Sequence, residues 1–168
     1  MSDLASIMLS RGFLKALYTG NMLWHTSAFI HFSFRPQHTL LRVGRRINSS
    51  NPAISSTPGG DAWHHDILDY LGKINLGFVA LAALRLTVLL KTRSSSPEVV
   101  GNGLGEDLDV LALTVLGIAN ASQAWNNLVV LRKTDRWILG KGFDRITVLD
   151  TVFAVLDFGV VVAKILKR

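Results

Sequence analysis

Two aspartates, Asp150 and Asp157, stand seven residues apart in the mostly apolar run from Ile146 to Leu166. On a helix that spacing puts both carboxyls on nearly the same face. An ionised aspartate in hydrocarbon costs at least about 2.5–3.5 kcal/mol, so that face has to turn inward. Once inside, each carboxyl has two possible roles. It accepts hydrogen bonds from neighbouring helices, or it serves as a general acid or proton relay with His25 or His65 as the other titratable group. Arg85 is the natural counter-ion of either aspartate. It equally suits snorkelling, because Lys91 marks a membrane boundary a turn or so further on.

Asn120, Gln123 and Asn127 follow i, i+3, i+7 spacing, with Ser122 and Asn126 beside them. A stripe of amides in an apolar run faces other helices, where it trades hydrogen bonds or lines a polar ligand cavity. Gly117 and Ala121 form a small-xxx-small pair that permits close helix approach.

The histidines raise the question of a metal. His65 and Asp69 are four apart, a spacing that places two ligands on one ion. His25, His64 and His65 with Asp66 or Asp69 would complete a set if the first two helices pack. The plainer reading makes Trp63, His64 and His65 an interfacial belt beside Asp66, so neither metal nor cofactor is expected. The chain has no cysteine, which removes disulfides, thiolate metal sites and thiol nucleophiles. Gly101 to Gly105 lacks the preceding strand and following lysine of a phosphate loop.

Four elements have to hold these residues. A spanning helix needs roughly 20 mostly apolar residues, and the runs 13–34, 68–90, 110–131 and 146–166 are long enough. They predict an all-α protein, an integral membrane four-helix bundle forming a single domain over residues 1–168. The first run is the most polar, with Lys15, Asn21, His25 and His31 among Trp24, Phe29, Phe32 and Phe34. Residues 35–67, rich in Ser, Pro, Gly and Arg, read as a mostly irregular surface loop. In 91–109, Pro97, Gly101, Gly103 and Gly105 break helix, and Glu106, Asp107 and Asp109 cap the helix that follows. The short connection from Arg132 to Arg145 predicts that the last two spans form an antiparallel hairpin.

Charged residues make up 18% of the chain, against about 25% in soluble domains. The net charge of +6 gathers beside the apolar runs, at Arg35 to Arg46 and Arg132 to Arg145. Flanking cations suit anionic headgroups, and no nucleic-acid motif accompanies them. The first and third connections carry nine Lys and Arg, which assigns them to the cytosol. A glycosylation sequon at Asn48 argues the other way, and a second, at Asn120, falls inside a span. No signal peptide is visible. A mitochondrial presequence would draw on Arg11 and Lys15 with Ser2, Ser6 and Ser10, against Asp3.

Gly20-Asn21-Met22-Leu23, Arg85 near the end of the second run, the short last hairpin and Leu139-Gly140-Lys141-Gly142-Phe143 form a further pattern. Together they resemble the ergosterol-biosynthesis scaffold family of small four-span endoplasmic-reticulum membrane proteins. The Ser/Pro loop, the Trp63–Asp66 segment and the Asn120–Asn127 amides depart from that family's pattern. The resemblance implies a non-catalytic tether for sterol enzymes and transfers no catalytic residue.

The expectation is therefore a non-catalytic adaptor or scaffold whose partners are the lipid bilayer and other membrane proteins, with no nucleic acid. Its expected location is the endoplasmic-reticulum membrane, with a mitochondrial membrane as the alternative. The alternative function is a small membrane-embedded enzyme acting on a lipid or terpenoid-like substrate through Asp150, Asp157, His25 or His65. A transporter or channel would need an oligomer, and no ring of charge is visible.

Overall fold

A computed structural model describes residues 3–44, 46–91, 103–130 and 144–167. They are helical, with no strand among them. A short α1 (Asp3–Met8) leads into α2 (Arg11–Phe34), and α3 (Pro36–Val43) follows after one residue. A 3-10 turn (Arg46–Asn48) and α4 (Pro52–Ser55) then lead to α5 (Ala62–Lys91), α6 (Gly103–Trp125) and α7 (Arg145–Lys167). A wider π turn, Asn126–Val130, extends α6.

Local chemistry sets the boundaries. Ser10 caps α2, its hydroxyl accepting from the Phe13 amide at 3.2 Å. Pro36 opens α3, where a missing amide proton does no harm. Gly60 sits at φ 75, a left-handed turn that glycine adopts without strain, just before α5. The Asp144 carboxylate caps α7 by accepting from the Thr147 amide at 2.9 Å.

Cross-helix pairs give the packing. Arg11 bonds the Leu89 carbonyl and His25 meets Asn75, so α2 and α5 run antiparallel. Lys167 meets Glu106, Lys164 meets Asp109 and Asn120 meets Asp157, so α6 and α7 do too. This agrees with the expected hairpin, although its connection lies outside the described residues. The two pairs share a core to which α2 gives Leu14 and Leu17, α5 Ala82, α6 Leu113 and Leu116, and α7 Val160. A smaller cluster, Phe32, Leu40 and Leu68, fixes α3 against the ends of α2 and α5.

Among the described residues, three helices are long and apolar enough to cross a membrane: Ala62–Lys91, Gly105–Val130 and Arg145–Lys167. Each displays large apolar side chains on its outer side, such as Leu84 on α5, Leu111 on α6 and Val155 on α7. Continuous apolar faces of that extent are foreign to a water-exposed monomer and suit acyl chains. By length and composition the chain fits an integral membrane protein.

The sequence-based boundaries need three corrections. Residues 35–67 are not mostly irregular, because α3, the 3-10 turn and α4 fold much of the segment, and α5 begins six residues before Leu68. Arg46 organises it, donating to the Thr57 carbonyl at 2.9 Å and the Thr57 hydroxyl at 3.0 Å. The last span-forming helix but one starts at Gly103, not at Val110. Gly103 and Gly105 are tolerated in its first turn, where Glu106 favours the helix dipole. Pro97, Gly101 and the Leu139–Phe143 stretch lie outside the described residues.

Candidate functional site

The most polar long helix, α2, organises the interior. Tyr18, Asn21, Trp24 and His25 follow helical spacing along its inner face, and each reaches a different neighbour.

At one end, Asp109 of α6 is buried at 5% side-chain exposure between two cations. Arg85 of α5 donates to its Oδ1 through Nη2 at 2.6 Å and Nε at 3.1 Å. Lys164 Nζ of α7 lies 3.1 Å from Oδ2, and the Tyr18 hydroxyl donates to Oδ1 at 2.9 Å. All four long helices thus meet on one carboxylate. Arg85 also donates to the Gly105 carbonyl at 3.1 Å. Arg85 therefore neither snorkels nor pairs with Asp150 or Asp157. The nearer acid, on the facing start of α6, takes it.

One level further in, Asn21 Nδ2 donates to Asp157 Oδ1 at 2.9 Å. Asn120 Nδ2 is shared between Asn21 Oδ1 at 3.1 Å and Asp157 Oδ2 at 3.3 Å. The three side chains are fully buried and close a ring across α2, α6 and α7. Gly117, a turn before Asn120, lies against Asp157 and Phe158, which lets α6 and α7 approach this closely.

Beyond that level the partners separate. Trp24 Nε1 donates to Asp150 Oδ1 at 2.8 Å, while Asp150 Oδ2 is buried without a partner. His25 Nδ1 stands 2.8 Å from Asn75 Oδ1, which can only accept, so Nδ1 carries the proton. The His25 ring lies 5.0 Å from that of Phe78.

At the opposite end from Asp109, α3 roofs a cavity of about 390 Å³ between α2, α5, α6 and α7. Trp24, Phe32 and Leu149 form apolar wall, while Asn75, Gln123, His31, His38, Arg42 and Arg145 bring polar groups to it. The amide stripe therefore divides. Asn120 joins helices, Gln123 faces the cavity, and Asn127 is buried in the π turn.

The four acid–base candidates do not converge. Asp157 is enclosed in the amide ring, Asp150 lies behind Trp24, and His25 is held by Asn75. His65 lies outside, bonding the Gly59 carbonyl through Nε2 at 2.8 Å. His64 is engaged by Arg46 at 3.1 Å and Asp61 at 2.7 Å, so the expected belt has partners of its own. Among the described residues no three His, Asp or Glu gather in a way that could hold a metal.

Sequence reasoning did not single out Tyr18 or Lys164 and read Asp109 only as a cap. One signal was present: Lys164 continues the seven-residue spacing of Asp150 and Asp157. A heptad series of ionisable groups in an apolar helix calls for an acid on the facing helix, and Asp109 is that acid.

The fold and site define a helical protein of membrane-spanning type, its long helices joined through buried polar side chains. No protein-family model, curated protein or solved structure matches the chain.

Proposed function

We propose that this chain is a non-catalytic adaptor of the endoplasmic-reticulum membrane, a four-helix bundle with α2 as its fourth span, that gathers other membrane proteins. The observation that carries this reading is the mutual hydrogen bonding of three mid-span polar side chains. Asp157, Asn21 and Asn120 bond one another across three helices. Such groups act as fasteners, each interhelical bond contributing about 0.6 kcal/mol on average and up to about 1.7 kcal/mol. With these groups bonded inside the bundle, the apolar outer faces of α5, α6 and α7 are left for lipid and for partner helices.

The resemblance to the ergosterol-biosynthesis scaffold family adds support on residue grounds. Asn21 of Gly20-Asn21-Met22-Leu23 sits in the amide ring, and Arg85 is the buried counter-ion of Asp109. Affinity purification of the full chain in mild detergent tests the proposal. Co-purification of a defined set of membrane proteins, retained by Asp157→Asn, is the expected result. A chain that purifies alone from every detergent tried would sink it.

One observation favours the alternative, a small membrane-embedded enzyme with a lipid or terpenoid-like substrate. Among the described residues Asp150 keeps an unpartnered oxygen, and its bonding neighbour, Trp24, lines the cavity. Loss of a lipid conversion in Asp150→Asn, with the protein still accumulating, would select that reading.

A further inference from the structure

The α3-roofed cavity gathers several polar side chains that have no protein partner. Gln123, His31, His38, Arg42 and Arg145 make no side-chain hydrogen bond or ion pair among the described residues, whereas Asn75 and Thr39 of the same lining are engaged. The acid at the same rim, Asp144, is engaged as the cap of α7. Here two exposed guanidiniums and a half-buried amide border about 390 Å³ of space, with imidazoles beside them. That volume falls within the roughly 300–1,000 Å³ of sites that hold small ligands.

We propose that this cavity binds an anionic phospholipid, its phosphate between Arg42 and Arg145 and its first acyl carbons against Trp24 and Phe32. Charge selects the headgroup. Arg42 on α3 and Arg145 at the start of α7 also border a second, adjoining recess, so both lie at the mouth of the cavity. Planar guanidinium forks match phosphate oxygens in pairs. Depth selects an amphiphile over a free anion, because the charged groups lie at helix ends and the aromatic wall lies further in. The arginines lie at the ends of α3 and α7, and the aromatic wall lies inward, on α2. The first and third connections, at this end, hold nine Lys and Arg, which suit a leaflet rich in anionic lipid. Gln123 supplies a neutral donor for a glycerol or ester oxygen.

Trp24 reports on the site directly. Replacing Trp63, Trp125 and Trp137 by Phe leaves one tryptophan in the full-length chain. This protein is placed in phosphatidylcholine nanodiscs with a low mole fraction of phosphatidic acid or phosphatidylcholine brominated near the glycerol end of its chains. The expected result is several-fold stronger quenching of Trp24 by the brominated phosphatidic acid. Excess inorganic phosphate leaves the difference standing, R42K/R145K retains it, and R42Q/R145Q abolishes it. Lys15→Gln, on α2 remote from the cavity, also retains it. Equal quenching by both lipids overturns the proposal, as does a preference that survives in R42Q/R145Q. Reversal by inorganic phosphate would also overturn it, by leaving a phosphate site with no lipid. The readout does not depend on whether the protein gathers partners, so its failure would leave the adaptor proposal standing.

Discussion

Asp109 is the side chain on which the interior depends most. Two cations and a phenol converge on it with almost no exposure to water. Such a cluster adds little to stability as a whole, because desolvation offsets the attraction, yet removing one partner strands the others. Asp109→Asn leaves Arg85 and Lys164 buried without a counter-charge and is expected to lose about 3–5 kcal/mol. Thermal unfolding in detergent measures this, and an unchanged midpoint would show that the cluster is not formed. Asp157→Asn should behave quite differently. It replaces one of two acceptor oxygens, so the loss is that of about one interhelical bond, near 0.6 kcal/mol and not above about 1.7 kcal/mol. A much larger loss would mean that the charge itself, and not the hydrogen bond, is what α2 and α6 hold in place.

Among the elements, the α2–α5 pair rests on a close approach at Gly72. A Cβ added there would crowd the Ser33 side chain and lie 3.3 Å from the Phe29 carbonyl oxygen, which cannot move without α2 moving. Gly72→Val is therefore expected to push the two helices apart at a cost of about 1–3 kcal/mol. A cysteine pair at positions 25 and 75, on the natural cysteine-free background, should then cross-link more slowly than with Gly72 intact. Equal rates would count against the packing. The turn before α5 has its own pH signature. The His64 side chain and amide both bond Asp61 and hold its carboxyl below the usual carboxylate range. A depressed folded-state value stabilises the turn above the unfolded value near pH ~3.9. That contribution disappears as pH falls through the lower, folded value. The protection of the amides over residues 59–65, taken relative to their intrinsic exchange rates at each pH, should hold from neutral pH to about 4 and fall only below it. A loss of protection already at mildly acidic pH would assign the turn to a different titrating group.

For the whole molecule, the four-span arrangement turns on the setting of α2. Its inward face is the polar one, and Leu23 lies outward at 61% exposure. If α2 spans the bilayer with the other three, Leu23→Cys is shielded from a membrane-impermeant maleimide in intact vesicles. Ile47→Cys, at 67% exposure in the α2–α5 connection, reacts from one side of the membrane. Rapid labelling of both sites would place α2 in water and remove the four-span arrangement.

Helix type and the apolar character of three spans were legible in the chain itself, because periodicity and length survive any arrangement of neighbours. The inward turn of Asp157 was legible for the same reason: no face of a span in lipid accepts a lone carboxylate. Pairing was not. From the sequence Arg85 suited either Asp150 or Asp157, and only the packing of α5 beside the start of α6 brings Asp109 to it. Nor could spacing divide Asn120 from Gln123, since a three-residue step leaves both on one helix face. What separates them is what stands opposite. Asn120 meets Asp157 of α7, whereas Gln123 faces the space that α3 roofs, with Ile146 and Leu149 of the same α7 on its wall. Sequence fixes which side chains must avoid lipid, and tertiary packing decides which of them meet each other and which are left facing a cavity.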